Sequence, residues 1–336
     1  MSIIAKMNFG MRSFERINYL LRPNKSVERK MLSEMLAGIS YIGDLSSYYY
    51  IGLGAVYFAD FALFHKQLGI SHMVSIEIDE NAIKRCEFNK PFACIELRTG
   101  SSSTVLPNLQ IDTNNSIIWL DYDNMISDDV FSDIKTVLAK MTPNSFFALT
   151  INAERSCLEF IKEDGEDDPV QALERVIGRD RFPKEYVGKR LTEKSYLALL
   201  YECLMNQIES SIITRNRVSN RPVVFQQTIF FEYKDGARMM TLGGFLFYED
   251  EVRASLEKMA IQRLPFYKSG SDPFSIKCPI LSPKEIQALN SLLPCDPMED
   301  NRFKNSALNK FPVDNNMINQ YLSLYRYYPS YFEVLL

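Results

Sequence analysis

The sequence is short of histidine and of patterned cysteine, and both shortages exclude chemistries. Its 336 residues contain two histidines, His65 and His72. A histidine-rich metal site is therefore excluded, and a Ser–His–Asp triad has only these two residues to use. The six cysteines are scattered, with no Cys-x-x-Cys pair. This spacing is typical of reduced thiols and not of a zinc site or a disulfide framework, so we expect a cytoplasmic protein.

Long hydrophobic runs and an excess of positive charge are also missing. The longest apolar runs, such as residues 48–56, have the length of a strand and contain glycines, so we expect no membrane span. Residues 1–16 do not resemble a signal peptide. The chain has 38 Lys and Arg against 42 Asp and Glu, which argues against a basic coat for nucleic acid. What it has is a hydrophobic fraction of 46%, which is typical of a folded globular chain.

Short apolar strands alternate with helical patterns through the first half of the chain. The predicted strands are residues 48–51, 73–76, 95–97, 116–120 and 145–151. Such alternation predicts a parallel sheet with helices on both faces. Later, two β-rich runs flank Lys234-Asp-Gly-Ala237, which is a hairpin signal. We therefore predict a Rossmann-like, mostly parallel α/β fold that ends in an antiparallel β-hairpin.

These patterns divide the chain into five predicted segments. An N-terminal helical segment (1–47) precedes the core that would bind a cofactor (48–152). A charged helical insertion or cap (153–221) is expected to close over the substrate. The hairpin and a helix (222–260) complete the core, and a C-terminal extension (261–336) follows.

Two glycines and an acidic residue follow the first two strands. Gly52 and Gly54 would let the backbone approach a ligand closely and direct the amino end of a helix at it. Glu77 ends the second strand, where a carboxylate can accept hydrogen bonds from both hydroxyls of a ribose. Asp79 is a second candidate for that role, unless it caps the next helix. Two glycines alone could mark a tight turn, but together with the acidic strand end they favour a nucleoside site.

The strongly apolar strand 116–120 ends in Asp121-Tyr-Asp-Asn124. In an extended segment the side chains of Asp121 and Asp123 point to the same side, where they could act as a general base or hold Mg²⁺. Alternatively, one of them caps the helix that begins near Ser127. Tyr122 could stack on an adenine or a substrate ring, or simply pack. We assign no metal ligand.

The order of these motifs resembles that of class I S-adenosylmethionine-dependent methyltransferases. The motifs that carry the resemblance are Tyr50-Ile-Gly-Leu-Gly54, Ile76-Glu77-Ile-Asp79, Thr99-Gly-Ser101, Leu120-Asp-Tyr-Asp-Asn124 and the terminal hairpin. The family fold is a seven-stranded sheet whose last strand is antiparallel. The resemblance covers about residues 48–248, and residues 21–30 also resemble bacterial proteins labelled "putative O-methyltransferase".

The resemblance implies S-adenosylmethionine as the cofactor. Gly52 and Gly54 would flank its methionine part, and Glu77 would bind its ribose. The loop Gly100-Ser101 would face the adenine, and residues 121–124 would border the transferable methyl group. The expected function is methyl transfer to an unidentified acceptor, with Asp121 and Asp123 as the catalytic carboxylates.

Three departures from the family pattern leave a second hypothesis open. Tyr50 stands where the family often has an acidic residue, and the loop Gly100-Ser-Ser-Ser103 lacks the acidic residue often found beside the adenine amino group. Residues 121–124 also lack the prolines of the amino methyltransferase motif. The missing third glycine, the serine-rich loop and the aromatic tail fit the alternative, a catalytically silent, nucleoside-binding subunit of a larger protein assembly.

Two further segments suggest partners. The aromatic tail Tyr321–Phe332 could bind a protein partner or a second copy of the chain, or it could be a packed C-terminal segment. The cluster Arg22, Lys25, Arg29 and Lys30 could contact phosphate in a nucleic-acid modifier, although most such clusters are solvated helix faces. No membrane partner is expected.

Overall fold

The computed structural model describes residues 22–54, 56–79, 82–163, 168–294 and 313–329. Its strands are β1 (Tyr49–Leu53), β2 (His72–Glu77), β3 (Ile95–Thr99), β4 (Ser116–Asp121), β5 (Ser145–Asn152), β6 (Val223–Asp235), β7 (Ala237–Tyr248) and β8 (Phe274–Ile276). Its α-helices are α1 (Pro23–Ala37), α2 (Ala59–Leu68), α3 (Ile83–Asn89), α4 (Ser102–Val105), α5 (Asp128–Lys140), α6 (Pro169–Ile177), α7 (Glu193–Asn216), α8 (Val252–Met259), α9 (Pro283–Asn290) and α10 (Asn315–Leu324).

The eight strands form one sheet in the order β3-β2-β1-β4-β5-β7-β6-β8. Strands β1 to β5 are mutually parallel, whereas β7 runs antiparallel to both β5 and β6. The predicted Rossmann-like sheet with a terminal antiparallel hairpin is therefore confirmed. The predicted number of seven strands is corrected to eight, because β8 adds to the edge at β6. Strand β8 has only three residues and lies among prolines, so its sequence is too short to show the alternating pattern of a strand.

The central strands are apolar on both faces because helices cover both sides of the sheet. In β4 the side chains of Ile118 and Leu120 join the core beneath α5 and α7. Ile117 and Trp119 point the opposite way and join the core beneath α1 and α2. This division follows the two-residue period of an extended strand.

The longest helix, α7, lies within the segment predicted as an insertion, 153–221. Its residues Leu199, Leu200 and Leu204 are buried in the same core as α5. The guanidinium of Arg215 donates to the carbonyl oxygens of Leu138 and Met141 at the end of α5, at 2.8 and 2.7 Å. Helix α7 therefore belongs to the helical layer on the sheet and connects β5 to β6.

The N-terminal helix α1 is capped by a residue from the distant hairpin. The Asp235 carboxylate accepts the backbone N–H groups of Asn24 and Lys25, at 3.3 and 2.9 Å, and the Asn24 side-chain amide at 2.9 Å. A carboxylate at this end satisfies unpaired N–H groups and complements the helix dipole. The hairpin thus places the first turn of α1 beside the carboxyl end of β4. None of the described helices has the length and hydrophobicity needed to cross a bilayer.

We expect Asp235→Asn to lower the free energy of unfolding by about 1–2 kcal/mol, since it removes a charged cap and turns an amide donor towards backbone donors. Urea unfolding measures this change. The control is Asp272→Asn, in an exposed residue paired with Lys268, for which we expect a change below about 0.5 kcal/mol. Equal effects of the two substitutions would contradict the capping role.

Candidate functional site

Several of the predicted site residues lie at the carboxyl ends of neighbouring parallel strands. Leu53 of β1 pairs with Ile76 of β2, and Glu77 pairs with Thr99 of β3. The Gly54 N–H donates to the Ile76 carbonyl at 3.1 Å, and the Gly100 N–H donates to the Glu77 carbonyl at 3.0 Å. Gly54, Glu77 and Gly100 are thereby brought together at the carboxyl ends of the strands, where ligands bind in open α/β sheets.

Within the described residues, the Glu77 carboxylate is only partly engaged by hydrogen bonds. Its Oε1 accepts the Asp79 backbone N–H at 2.9 Å. The thiol of Cys86, a weak donor, lies 3.8 Å from Oε2. Burial raises the pKa of Glu77 above its usual value, and the Asp79 N–H opposes this shift. Oε2 therefore retains the capacity to accept hydroxyl hydrogen bonds.

Helix α3 begins at Ile83 in the described residues, and its capping residue is Ala82. The role of Asp79, at a ribose or as a cap, stays a prediction. The Asp79 carbonyl accepts the Ala82 N–H at 2.9 Å. Ile78, which the sequence analysis missed, is 70% exposed beside the carboxylate. An aliphatic residue directly after an acidic strand end was the signal that could have identified it. Residues 80 and 81 lie outside the described residues.

The glycine turn is tightly packed by the protein itself. A Cβ atom on Gly54 would lie 1.7 Å from the Ser75 hydroxyl oxygen. A Cβ atom on Gly52 would lie 2.8 Å from the Tyr50 hydroxyl oxygen and 3.3 Å from the Phe61 ring. Internal packing therefore accounts for both glycines, and their contact with a cofactor stays a prediction.

Tyr50, in the position where the resemblance leads one to expect an acid, acquires a carboxylate from the next helix. Its hydroxyl donates to Asp60 in the first turn of α2. Burial raises the pKa of Asp60, and the nearby Arg29 guanidinium opposes the shift. A carboxyl group is thus present near the glycine turn, although it comes from a helix.

The serine-rich loop after β3 uses part of its hydroxyl groups internally. Gly100 has a φ of +139°, a region that favours glycine. The Ser101 hydroxyl lies 3.0 Å from that of Ser103 and 3.1 Å from that of Thr104. The assignment of Gly100 and Ser101 to an adenine remains a prediction.

Tyr122 is bound to a carboxylate on α5. Its hydroxyl donates to Asp133 Oδ2 at 2.6 Å. Burial raises the pKa of Asp133, and hydrogen bonds from Ser102 and Tyr122 oppose this shift. Asp133 therefore connects helix α5 to the segment after β4. The sequence analysis missed it, although an acid beside the apolar stripe of Val130 and Ile134 is unusual in an amphipathic helix.

Asp121 and Asp123 have different partners. Asp121 Oδ1 accepts a hydrogen bond from the Lys25 ammonium at 2.7 Å, and its side chain is 25% exposed. Asp123 is 43% exposed and lies 3.9 Å from the Arg22 guanidinium. The capping residue of α5 is Ser127, and its side chain makes no capping hydrogen bond. Among the described residues, no group of acidic, His and Cys side chains could hold a metal ion.

The basic cluster considered for phosphate binding is largely turned inward. Lys25 is 1% exposed and Arg29 is 8% exposed. The Lys30 ammonium donates to the carbonyl of Tyr327 at 3.0 Å. Lys25 and Arg29 are therefore not part of an open basic patch, and contact of the cluster with phosphate stays a prediction.

The described part of the aromatic tail, up to residue 329, is packed. Tyr321 is buried, and its hydroxyl donates to the Asn290 side chain at 2.7 Å. Tyr327 is buried, and its hydroxyl donates to Glu34 of α1. The end of the tail predicted as a partner edge, residues 330–332, lies outside the described residues.

Comparison with known proteins gives one family and several similar solved structures. The model of the family described as "Putative O-methyltransferase" matches residues 17–336. No curated protein matches the chain. Among solved structures, it is similar to a putative S-adenosylmethionine-dependent methyltransferase from Listeria monocytogenes, with 11% identity, 64% of this chain and 98% of that chain covered, and a TM-score of 0.37.

Two other solved structures are similar at comparable levels. The O-methyltransferase TomG from Streptomyces achromogenes, solved in complex with SAM, has 12% identity over 72% of this chain and 94% of that chain, with a TM-score of 0.34. A Haloferax volcanii complex of the Trm112 methyltransferase activator with a methyltransferase has 10% identity over 38% of this chain, with a TM-score of 0.30. The chain spans 56% of the length of that matched protein.

Asp133 gives a test of the buried tyrosine–aspartate pair. Because burial raises its pKa, the Asp133 carboxyl stabilises the fold when protonated, and this contribution is lost as the pH rises from about 3.8 through the raised pKa. We expect the free energy of unfolding of Asp133→Asn, minus that of the wild type, to increase with pH over that window. Urea unfolding at several pH values measures it.

The control for this measurement is Asp112→Asn, in an exposed turn residue, for which we expect a difference below about 0.5 kcal/mol. A difference for Asp133→Asn that falls as the pH rises would contradict the assigned burial.

Proposed function

This chain belongs to the family described as "Putative O-methyltransferase", and on that premise we propose that it methylates a hydroxyl oxygen of an acceptor at the carboxyl end of β4. Membership confirms the predicted methyltransferase function and its cofactor, S-adenosylmethionine. The acceptor and the residue roles given below are our proposal.

The observation that carries the proposal is the Glu77 carboxylate, which has an accepting oxygen at the shared strand edge. Glu77 suits a ribose, because a carboxylate oxygen can accept from its hydroxyls. The exposed side chain of Ile78 suits the flat apolar face of an adenine. Gly100 is hydrogen-bonded to Glu77, so the serine loop borders the same region. These residues fit an adenosyl group.

Asp121 is our candidate for the group that receives the acceptor's proton. The bound cofactor supplies an electrophilic methyl group on a sulfonium, and transfer is an in-line displacement. When bound, the cofactor would give up its methyl group from sulfur to the acceptor oxygen, and Asp121 would take the hydroxyl proton. Such a step requires mainly alignment and an acceptor for the proton. Asp123, exposed and opposite Arg22, is a candidate to contact the substrate at the rim.

A hydroxyl acceptor is favoured over an amine by the loop after β4. Residues 121–124 lack the prolines with which amino methyltransferases hold a planar amine. A carboxylate at this position is suited to a group that loses a proton. We also propose a cytoplasmic location, since the five cysteines in the described part of the chain are free thiols.

We expect Glu77→Ala to weaken the binding of S-adenosylhomocysteine about 100-fold, because it removes charge-assisted hydrogen bonds to the ribose. Isothermal calorimetry measures the dissociation constant. The matched control is Glu96→Ala on the neighbouring strand β3, which removes an exposed glutamate paired with Arg98 of the same strand. It should leave binding unchanged. Unchanged binding by Glu77→Ala with an intact fold would remove the ribose assignment.

We expect Asp121→Asn to lower kcat by about 10²- to 10⁴-fold, the usual contribution of a general base, with little change in cofactor affinity. The assay follows a labelled methyl group from S-adenosylmethionine into small hydroxylated compounds and into a cell extract. Wild-type protein that binds the cofactor tightly but methylates no fraction would favour the catalytically silent subunit.

A further inference from the structure

The most unusual group outside the predicted site is a buried lysine on α1. Lys25 is 1% exposed, and its ammonium has three oxygen acceptors. They are Asp121 Oδ1 at 2.7 Å, Glu28 Oε2 at 2.8 Å and the Tyr233 hydroxyl at 3.1 Å. The contacts with Asp121 and Tyr233 are hydrogen bonds, and the contact with Glu28 is an ion pair. The Trp119 ring lies beneath it, with its centroid 4.4 Å from the nitrogen.

A chain of hydrogen bonds ends at Glu28 Oε1, the carboxylate oxygen that does not contact Lys25. The Trp119 indole N–H can only donate, and it donates to the Thr150 hydroxyl at 3.0 Å. The Thr241 hydroxyl donates to Glu28 Oε1. The hydrogen between the two threonine oxygens, 2.7 Å apart, therefore comes from Thr150. Every bond in the chain points towards Glu28.

Glu28 therefore accepts a hydrogen bond through Oε1 and forms an ion pair with the Lys25 ammonium through Oε2. Burial raises the pKa of Glu28, and the charge of Lys25 opposes that shift. The arrangement suits an ionised carboxylate next to an ammonium. Since Glu28 and Tyr233 are buried, Lys25 cannot turn away from Asp121 without leaving a buried charge unpaired.

The ammonium determines which oxygen of Asp121 is available. Hydrogen bonds among the described residues engage Oδ1 and not Oδ2. Asp121 is the member of this cluster with appreciable exposure, so Oδ2 is the oxygen that can meet a ligand at the strand edge. Arg22, three residues before Lys25, makes a similar contact, an ion pair with Asp123.

Stability alone does not account for this cluster, because a buried ion pair seldom stabilises a fold more than apolar side chains of the same volume. We propose that Lys25 is a positioning residue for methyl transfer: it holds Asp121 by Oδ1 and presents Oδ2 to the hydroxyl of the acceptor. This inference rests on the proposed function. Lys25 moves no proton itself. Helix α1 thereby forms a wall of the acceptor site.

The test replaces the buried pair as a unit. The double variant Lys25→Met, Glu28→Leu removes both charges and keeps the volume, so that no buried charge is left unpaired. A misplacement of about 1 Å in a reacting group can cost about 100-fold in rate. We therefore expect kcat to fall about 100-fold, with the dissociation constant for S-adenosylhomocysteine changed by less than about 3-fold. The assay is the labelled-methyl transfer described above.

The matched control is Lys30→Met, which removes another lysine of α1 that binds carbonyl oxygens of the C-terminal segment. We expect it to lower the unfolding temperature but to leave kcat within about 3-fold of the wild type. A second test is epistasis. If Lys25 acts through Asp121, the double substitution should lower kcat no further in the Asp121→Asn background.

Each outcome decides for or against the inference. Wild-type kcat in the folded double variant would overturn it, and so would an equal loss of kcat and of cofactor binding. If the double variant does not fold, Lys25→Arg keeps the charge but displaces the donor atoms, and unchanged kcat would then overturn the proposal. A wild-type chain that binds the cofactor but methylates nothing overturns the proposed function and this inference with it. Loss of kcat in the double variant, with cofactor binding intact, supports the inference.

Discussion

The contact between the Lys25 ammonium and Asp121 joins two parts of the chain that the rest of the site depends on. One is the amino end of α1, which Asp235 of the β-hairpin caps. The other is the carboxyl end of β4, in the centre of the sheet. Because the ammonium is buried and has three acceptors, its position is determined by the fold and not by the solvent. The candidate acceptor site thus needs the helix, the hairpin and the central strand together.

The two tyrosine–aspartate pairs are a second common feature of the site. Tyr50 in β1 donates to Asp60 in α2, and Tyr122 after β4 donates to Asp133 in α5. In both cases the aspartate comes from the helix that follows the strand, ten or eleven residues later. Burial raises the pKa of both carboxyl groups. In β1, where the resemblance leads one to expect an acidic residue, the carboxyl group comes from the next helix instead.

Much of the fold could be predicted from local patterns. The apolar residues of β4 and β5, Gly69 at the end of α2 and Asp235-Gly236 at the hairpin each indicate structure through their immediate neighbours. The parallel order of the strands then places Glu77 and Gly100 on one edge. The short strand β8 could not be predicted, because its pairing with β6 depends on a segment about forty residues away. The helical layer to which α7 belongs could not be predicted from the sequence either.

The sequence by itself determined the α/β class, the antiparallel end of the sheet and the strand ends at which polar side chains gather. Those features follow from residue periodicity and turn chemistry, which act over a few positions. Only the tertiary structure decided which partner each polar group meets. Lys25 and Asp121 are 96 residues apart, and Lys25 and Tyr233 are 208 apart. From the sequence alone, Lys25 in its charged segment is expected to be solvated. The packing of α1 on the sheet buries it.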